Sequence, residues 1–191
     1  MMDISNKIDT GKFTDYLKNI PIPEEPPLIS DELMNKIERL AKDEITNLSL
    51  LVSNIELNWL SSEDNRLGVT IFSGDHNELY RKKRLNLPLG KIKINLHPVL
   101  MDDEKLYNHT LVHEILHASG MIEHSEKHDN LTTQIAPAPS LSESIVLRYL
   151  QAVMISTTNV LSWECISCNY IWTRNTIIKP KKCPKCHSLL I

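Results

Sequence analysis

Apolar residues recur at steps of three and four through 31–46 (Leu33, Met34, Ile37, Leu40, Ala41, Ile45), which predicts a helix capped by Ser30. Three segments then alternate. They are "IELNWL" at 55–60, with Ile55, Leu57 and Trp59 on one face, "LGVTIF" at 67–72, and "KIKINLH" at 91–97, with Ile92, Ile94 and Leu96 on one face. A two-residue period of this kind marks half-buried strands. Between the second and third lies "GDHNELYRKKRLNLPL" at 74–89, which is polar and basic and reads as a connection. Helical spacing returns over 104–119, with Leu111, Val112, Ile115 and Leu116 as the buried stripe and Gly120 placed to end the helix in a left-handed conformation. A shorter helix over 126–135 and a further one over 141–153 follow, with "APAPS" between them, and the last thirty residues read as two short hairpins.

This order predicts an α+β domain with a small twisted sheet over 31–155, preceded by an arm at 1–30 and followed by a satellite module at 160–191. The arm contains "PIPEEPP", which has too few amide donors for a helix and too few apolar side chains for a core, so it reads as a flexible or extended segment. A formal charge of −3 gives no sign of a strongly basic nucleic-acid binder. No apolar run approaches a membrane span, and the polar N-terminus lacks a secretory core, so the expected setting is intracellular and cytoplasmic without a membrane partner.

Chemistry concentrates in "LVHEILHASGMIEHSEKHD" at 111–129, which carries four histidines. Helix positions four apart lie about 40° apart around the axis and about 6 Å along it, so His113 and His117 can reach one ion. His109 and His113 share that spacing. The residue that distinguishes the first pair is Glu114, which completes an H-E-x-x-H motif and sits about 100° round from His113, beside the ion where it can take a proton from water. A catalytic zinc usually takes three protein ligands and keeps a fourth position open. His124, reached through a turn at Gly120, is the first candidate for the third ligand; His128 is the second and Glu143 the third. Glu143 also stands in capping-box register with Ser140 ahead of an apolar run, and that structural role is the preferred one. Tyr107, His109 and His128 are candidates for a second donor to a transition-state oxyanion.

The four cysteines, Cys165, Cys168, Cys183 and Cys186, form two Cys-x-x-Cys pairs fourteen residues apart, the signature of a four-thiolate structural zinc ribbon. His187 is a spare donor beside a shell that is already closed. A segment this short needs the metal to fold. From 161 to 191 five cations oppose Glu164, a formal +4 that four thiolates on one zinc reduce to about +2. Trp163, Trp172, Arg174, Lys181 and Lys182 are therefore candidate nucleic-acid contacts, the tryptophans either stacking on bases or filling the ribbon interior. "RKKR" at 81–84 is a second basic segment.

"GKIKINLHPVL", "LYNHTLVHEILHA" and "HSEKHDNLTTQI" together resemble the SprT-like metallopeptidases, the group that includes Spartan. The resemblance covers roughly 31–191, ribbon included. It implies a zincin-like fold and two zinc ions, one catalytic on His113, His117 and His124 with Glu114 as catalytic glutamate, and one structural on the four cysteines. It further implies endopeptidase activity on DNA-bound or DNA-crosslinked proteins, with single-stranded or damaged DNA as partner. The gap from His117 to His124 is short for this group, and His128 stands where an aromatic residue is common. Two other readings are a metzincin, whose spacing would put the third ligand at Glu123, and a zinc-containing nucleic-acid adaptor that cleaves nothing.

Overall fold

A computed structural model describes residues 19–45, 47–85, 87–157 and 160–190. Helix α1 (Asp31–Leu40) starts where Ser30 Oγ accepts a hydrogen bond from the Leu33 amide, and it buries Leu33 and Ile37. It stops at Leu40, short of the expected 46, because the chain turns at Ala41; Ile45 still reaches the core from that turn. Helix α2 (Leu48–Ser53), capped by Asn47, follows where no element was expected.

The sheet contains β1 (Ile55–Trp59), β2 (Gly68–Phe72) and β3 (Ile92–Leu96) in the order β1-β3-β2, with β1 parallel and β2 antiparallel to β3. Register places Leu57, Ile94 and Thr70 in one row and Trp59, Leu96 and Gly68 in the next. Since alternate residues share a face, Gly68 and Thr70 stand on the side that Ile92, Ile94 and Leu96 bury. Between β2 and β3, the connection expected at 74–89 instead contains α3 (His76–Arg84). Its sequence is charged on nearly every side, so no apolar stripe marks it. Asp75 caps it through the Glu78 amide, and Leu79 is the one buried anchor among its described side chains.

A single 3-10 turn (Pro98–Asp102) leads into α4 (Glu104–Ala118), which Asp103 caps. Leu111, Val112, Ile115 and Leu116 are all fully buried, as the spacing predicts, and so are Leu106, Thr110, Glu114, His117 and Ala118 to within 9% exposure. A helix enclosed on this many sides is the centre of the domain: β2 and β3 cover one flank and α5 (Glu126–Ile135) another. Each fully buried Leu or Ile contributes roughly 1.5–3 kcal/mol, so α4 is held chiefly by packing. Helix α6 (Ile145–Ser156) begins at Ile145, four residues later than expected, because the Ser144 side chain caps it and donates to Asp103.

Residues 21–28 have no regular structure, bend at 24–25 and are tied to β1 and α4. The Trp59 indole donates to Glu25 O at 2.7 Å, and the Tyr107 hydroxyl bonds both the amide and the carbonyl of Leu28 at 2.9 Å. This part of the expected arm is therefore tied down, and the first eighteen residues lie outside the described ones. At the other end, β4 (Ser162–Glu164) pairs with β5 (Ile171–Thr173), and a bridge joins Lys182 to Leu189, giving the two expected hairpins. Among the described residues no helix is long and apolar enough to cross a membrane.

Two candidate metal centres

Gly120 (φ +100°) ends α4 with paired hydrogen bonds, Gly120 N–H to His117 O at 2.9 Å and Met121 N–H to Leu116 O at 3.2 Å. This is the Schellman pattern, and a side chain at position 120 would strain it. The turn has a consequence for the site: it brings Met121 O to 2.7 Å from His117 Nδ1. A carbonyl only accepts, so Nδ1 carries the proton and Nε2 is left with its lone pair.

That lone pair faces two others. The Nε2 atoms of His113, His117 and His124 form a triangle with sides of 3.1, 3.1 and 3.2 Å. Tetrahedral ligands at about 2.0–2.1 Å from an ion are separated by about 3.3–3.4 Å, so the triangle fits one divalent cation with small adjustment. Burial and the neighbouring imidazoles push His113 down to about 4, and burial lowers His117 as well, so both rings are neutral donors. The three rings are the one histidine group among the described residues placed to hold a metal.

Glu114 lies beside them and is 6% exposed. Thr70 Oγ1 is 2.7 Å from its Oε2 and 3.0 Å from its main-chain O. Burial raises the Glu114 pKa, and the hydrogen bond from Thr70 opposes that rise. Gly68 makes the approach possible, since a Cβ there would stand 2.8 Å from Glu114 Oε1 and from Thr110 Cγ2. Sequence reading missed Gly68 and Thr70; a glycine within an apolar strand segment was the available signal. The site opens into a cleft of about 370 Å³, with Val69, Phe72, Leu79 and Ile122 on its apolar side.

The other candidates go elsewhere. His128 is fully buried beneath the ligand rings, stacked on His117 at 4.4 Å and edge-on to His113 at 4.5 Å, with Nε2 3.3 Å from His113 O. Its ring packs there as an aromatic side chain would. Glu143 accepts from the Ser140 amide and hydroxyl and pairs with Lys105 at 2.9 Å, so it is not turned to the metal site; the expected capping box is not formed, because the helix starts four residues later and these two residues close the turn before it. Ser140 anchors the turn before α6 and Ser144 caps the helix itself. Glu123 accepts from the Tyr80 hydroxyl, and the triangle takes His124. None of the three oxyanion candidates lines the cleft: His109 Nδ1 holds Ala136 O, Tyr107 holds Leu28, and His128 lies underneath.

In the ribbon the four Sγ atoms gather, with Cys165 3.6 Å from Cys186 and Cys168 3.8 Å from Cys183, and all four lie within 4.8 Å of one another. Tetrahedral thiolates at about 2.3 Å from zinc are separated by about 3.8 Å. The two knuckles repeat one geometry. Asn169 (φ 53°) and His187 (φ 59°) each follow the second cysteine in a left-handed turn, donating to Cys165 O and Cys183 O. His187 is therefore a turn residue. Ser188 Oγ sits 3.4 Å from Cys165 and 2.9 Å from Cys186, and its hydroxyl holds the Cys165 thiol down to about 6 and lowers Cys186 too. Ser188 is a third residue the sequence did not reveal.

The expected nucleic-acid contacts divide. Arg174 lies 5.1 Å over the Trp163 ring, and its guanidinium donates to Thr176 O and Ile177 O, so both side chains are engaged within the ribbon. Trp172 stacks on Tyr170 at 5.9 Å, with Lys185 over the Tyr170 ring. Lys181 and Lys182 are exposed.

Comparison of the chain with protein families, with curated proteins and with solved structures finds no match.

Proposed function

We propose that the chain is a zinc-dependent endopeptidase with a zincin-like core, of the kind the sequence resembles in SprT-like enzymes, carrying a second, structural zinc in the ribbon. The observation that carries this reading is the triangle of three imidazole lone pairs with a buried, hydrogen-bonded carboxylate beside it at the base of an open cleft. All-nitrogen and all-thiolate donor sets favour zinc over magnesium or calcium. A zinc ion on His113, His117 and His124 would supply a Lewis acid that brings the pKa of water to about 7 and polarises a carbonyl.

Glu114 takes the proton of the attacking water and returns it to the leaving amine nitrogen as the peptide C–N bond breaks. Thr70 holds the carboxylate, and the Schellman turn with Met121 O holds the His117 ring. Substrate lies along β2. β3 is the central strand, whereas β2 is the edge beside the cleft. An extended segment pairing with β2 would present alternate side chains to Val69, Phe72, Leu79 and Ile122. Proteins held on DNA are the substrate class that the SprT-like resemblance implies. The stacked Tyr170 and Trp172 rings with Lys185, Lys181 and Lys182 support a DNA contact, and they also favour the second reading, a nucleic-acid adaptor.

The test compares wild type with Glu114→Gln on casein and histone, with and without single-stranded DNA. Cleavage by the wild type and a loss of about 10²–10⁴-fold in the variant, with zinc retained, is the expected result. Intact substrate with both proteins under all conditions, while DNA binding persists, would replace this reading with the adaptor.

A further inference from the structure

A carboxylate one residue along from a metal ligand has two possible fates. It can remain beside the ion as a base, or it can turn and coordinate the ion, closing the open position. Imidazole and carboxylate are both ordinary zinc ligands at about 2.0–2.2 Å, so chemistry alone does not choose between them. Glu114 is next to His113 on the same helix and lines the same cleft as all three imidazoles. What distinguishes its position is the hydroxyl of Thr70, from the core face of edge strand β2, at 2.7 Å from Oε2. The same hydroxyl lies 3.0 Å from the Glu114 carbonyl, and with one proton to donate it favours the closer, charged carboxylate oxygen. Gly68, two residues earlier, leaves no room between strand and carboxylate, its absent Cβ being 2.8 Å from Oε1.

We propose that Thr70 is a positioning residue that keeps the Glu114 carboxylate off the metal, so that the three-histidine site retains its open position. The inference rests on the metal reading of the triangle, and its primary readout does not need peptidase activity. A charge-assisted hydrogen bond is the device: the hydroxyl donates to the carboxylate, and while it does so Oε2 has its partner in the strand. Thr70 touches neither ion nor substrate in this role; it acts through Glu114.

Cobalt(II) substituted at the histidine site reports coordination through its visible absorption. Thr70→Val keeps the β-branched shape of the strand residue and removes the donor. The expected result is a changed cobalt spectrum in Thr70→Val, a wild-type spectrum in Thr70→Ser, and a return toward the wild-type spectrum in the double variant Thr70→Val with Glu114→Ala, where no carboxylate remains to coordinate. In the peptidase assay kcat falls about ten- to a hundredfold in Thr70→Val with KM little changed, the size expected for losing a hydrogen bond to a charged group. A wild-type spectrum in Thr70→Val overturns the proposal, as does a spectral change that persists when Glu114 is also removed, or one that Thr70→Ser reproduces. If the wild type itself cleaves nothing, the peptidase reading fails while the spectra still decide the role of Thr70.

Discussion

Gly68→Ala is the substitution whose effect follows most directly from the strand-to-helix approach. The new Cβ would meet Glu114 Oε1 and Thr110 Cγ2 at 2.8 Å and Glu114 Cγ at 2.9 Å, where ordinary contact begins at 3.4 Å, so about 0.6 Å must be found. The Glu114 carboxylate tip can swing aside, but Thr110 Cγ2 belongs to a short β-branched side chain on a helix enclosed by the core. Relief therefore requires movement of α4 against the sheet. Overpacking of this kind costs about 1–3 kcal/mol, and the lower chain entropy of Ala in the unfolded state offsets about 0.4–1 kcal/mol of it. A net loss of about 0.5–2 kcal/mol corresponds to a fall in Tm of about 1–8 °C at this chain length. Catalysis should suffer more than stability, roughly tenfold, since a 1 Å misplacement of a catalytic group costs about 10²-fold. Gly74→Ala is the matched control: its Cβ would meet the Glu78 carboxylate at 2.9 Å, a flexible and half-exposed tip that yields cheaply, so its Tm should stay within about 1 °C. Thermal unfolding of the two variants side by side, with casein cleavage measured well below Tm, checks the reasoning. Equal Tm and equal cleavage in Gly68→Ala and wild type would refute it.

His128→Phe should retain zinc at the histidine site, because His128 packs under the ligand rings without joining them, whereas His128→Ala should cost about 2–4 kcal/mol by opening a buried cavity; zinc content and denaturant unfolding measure both. The Glu143 carboxyl is held down to about 2 by the Ser140 amide, Lys105 and the Ser140 hydroxyl, so its folded pKa lies below its ordinary value of 4.5. Its contribution to stability is then complete above about pH 4.5 and lost as pH falls toward 2, and the stability difference between wild type and Glu143→Gln should vanish over that window in acid titrations. Chelation should abolish amide-exchange protection across 162–190 while leaving protection in α4 and β3, since the ribbon's fold depends on its ion and the domain's on its packed core.

What the sequence revealed and what it concealed separate along local and non-local lines. His113 and His117 are one helical turn apart and each cysteine pair closes within four residues, so six of the seven metal-facing residues can be placed by counting along the chain, while His124 was the first of three candidates until the turn at Gly120 brought it to the other two rings. Thr70 and Gly68 act on Glu114 from 44 and 46 positions away, and only the antiparallel register of β2 on β3 puts them on its side of the sheet. Helix α3 escaped notice because one Leu anchors it where a stripe was sought, and α1 ended early because Ile45 is buried from a turn yet keeps helical spacing. The tryptophans offered two readings. Arg174, folded over Trp163 and bonded to nearby carbonyls, decides for the interior at that position alone.

The central claim is that three imidazoles hold one divalent ion beside Glu114, and anomalous scattering at the zinc edge from crystals of the zinc-loaded protein tests it most directly. The account expects two peaks per chain, one among the four cysteines and one about 2.0–2.1 Å from Nε2 of His113, His117 and His124. A single peak in the ribbon, or an ion on His113 and His117 with His124 turned away and another side chain in its place, would contradict it.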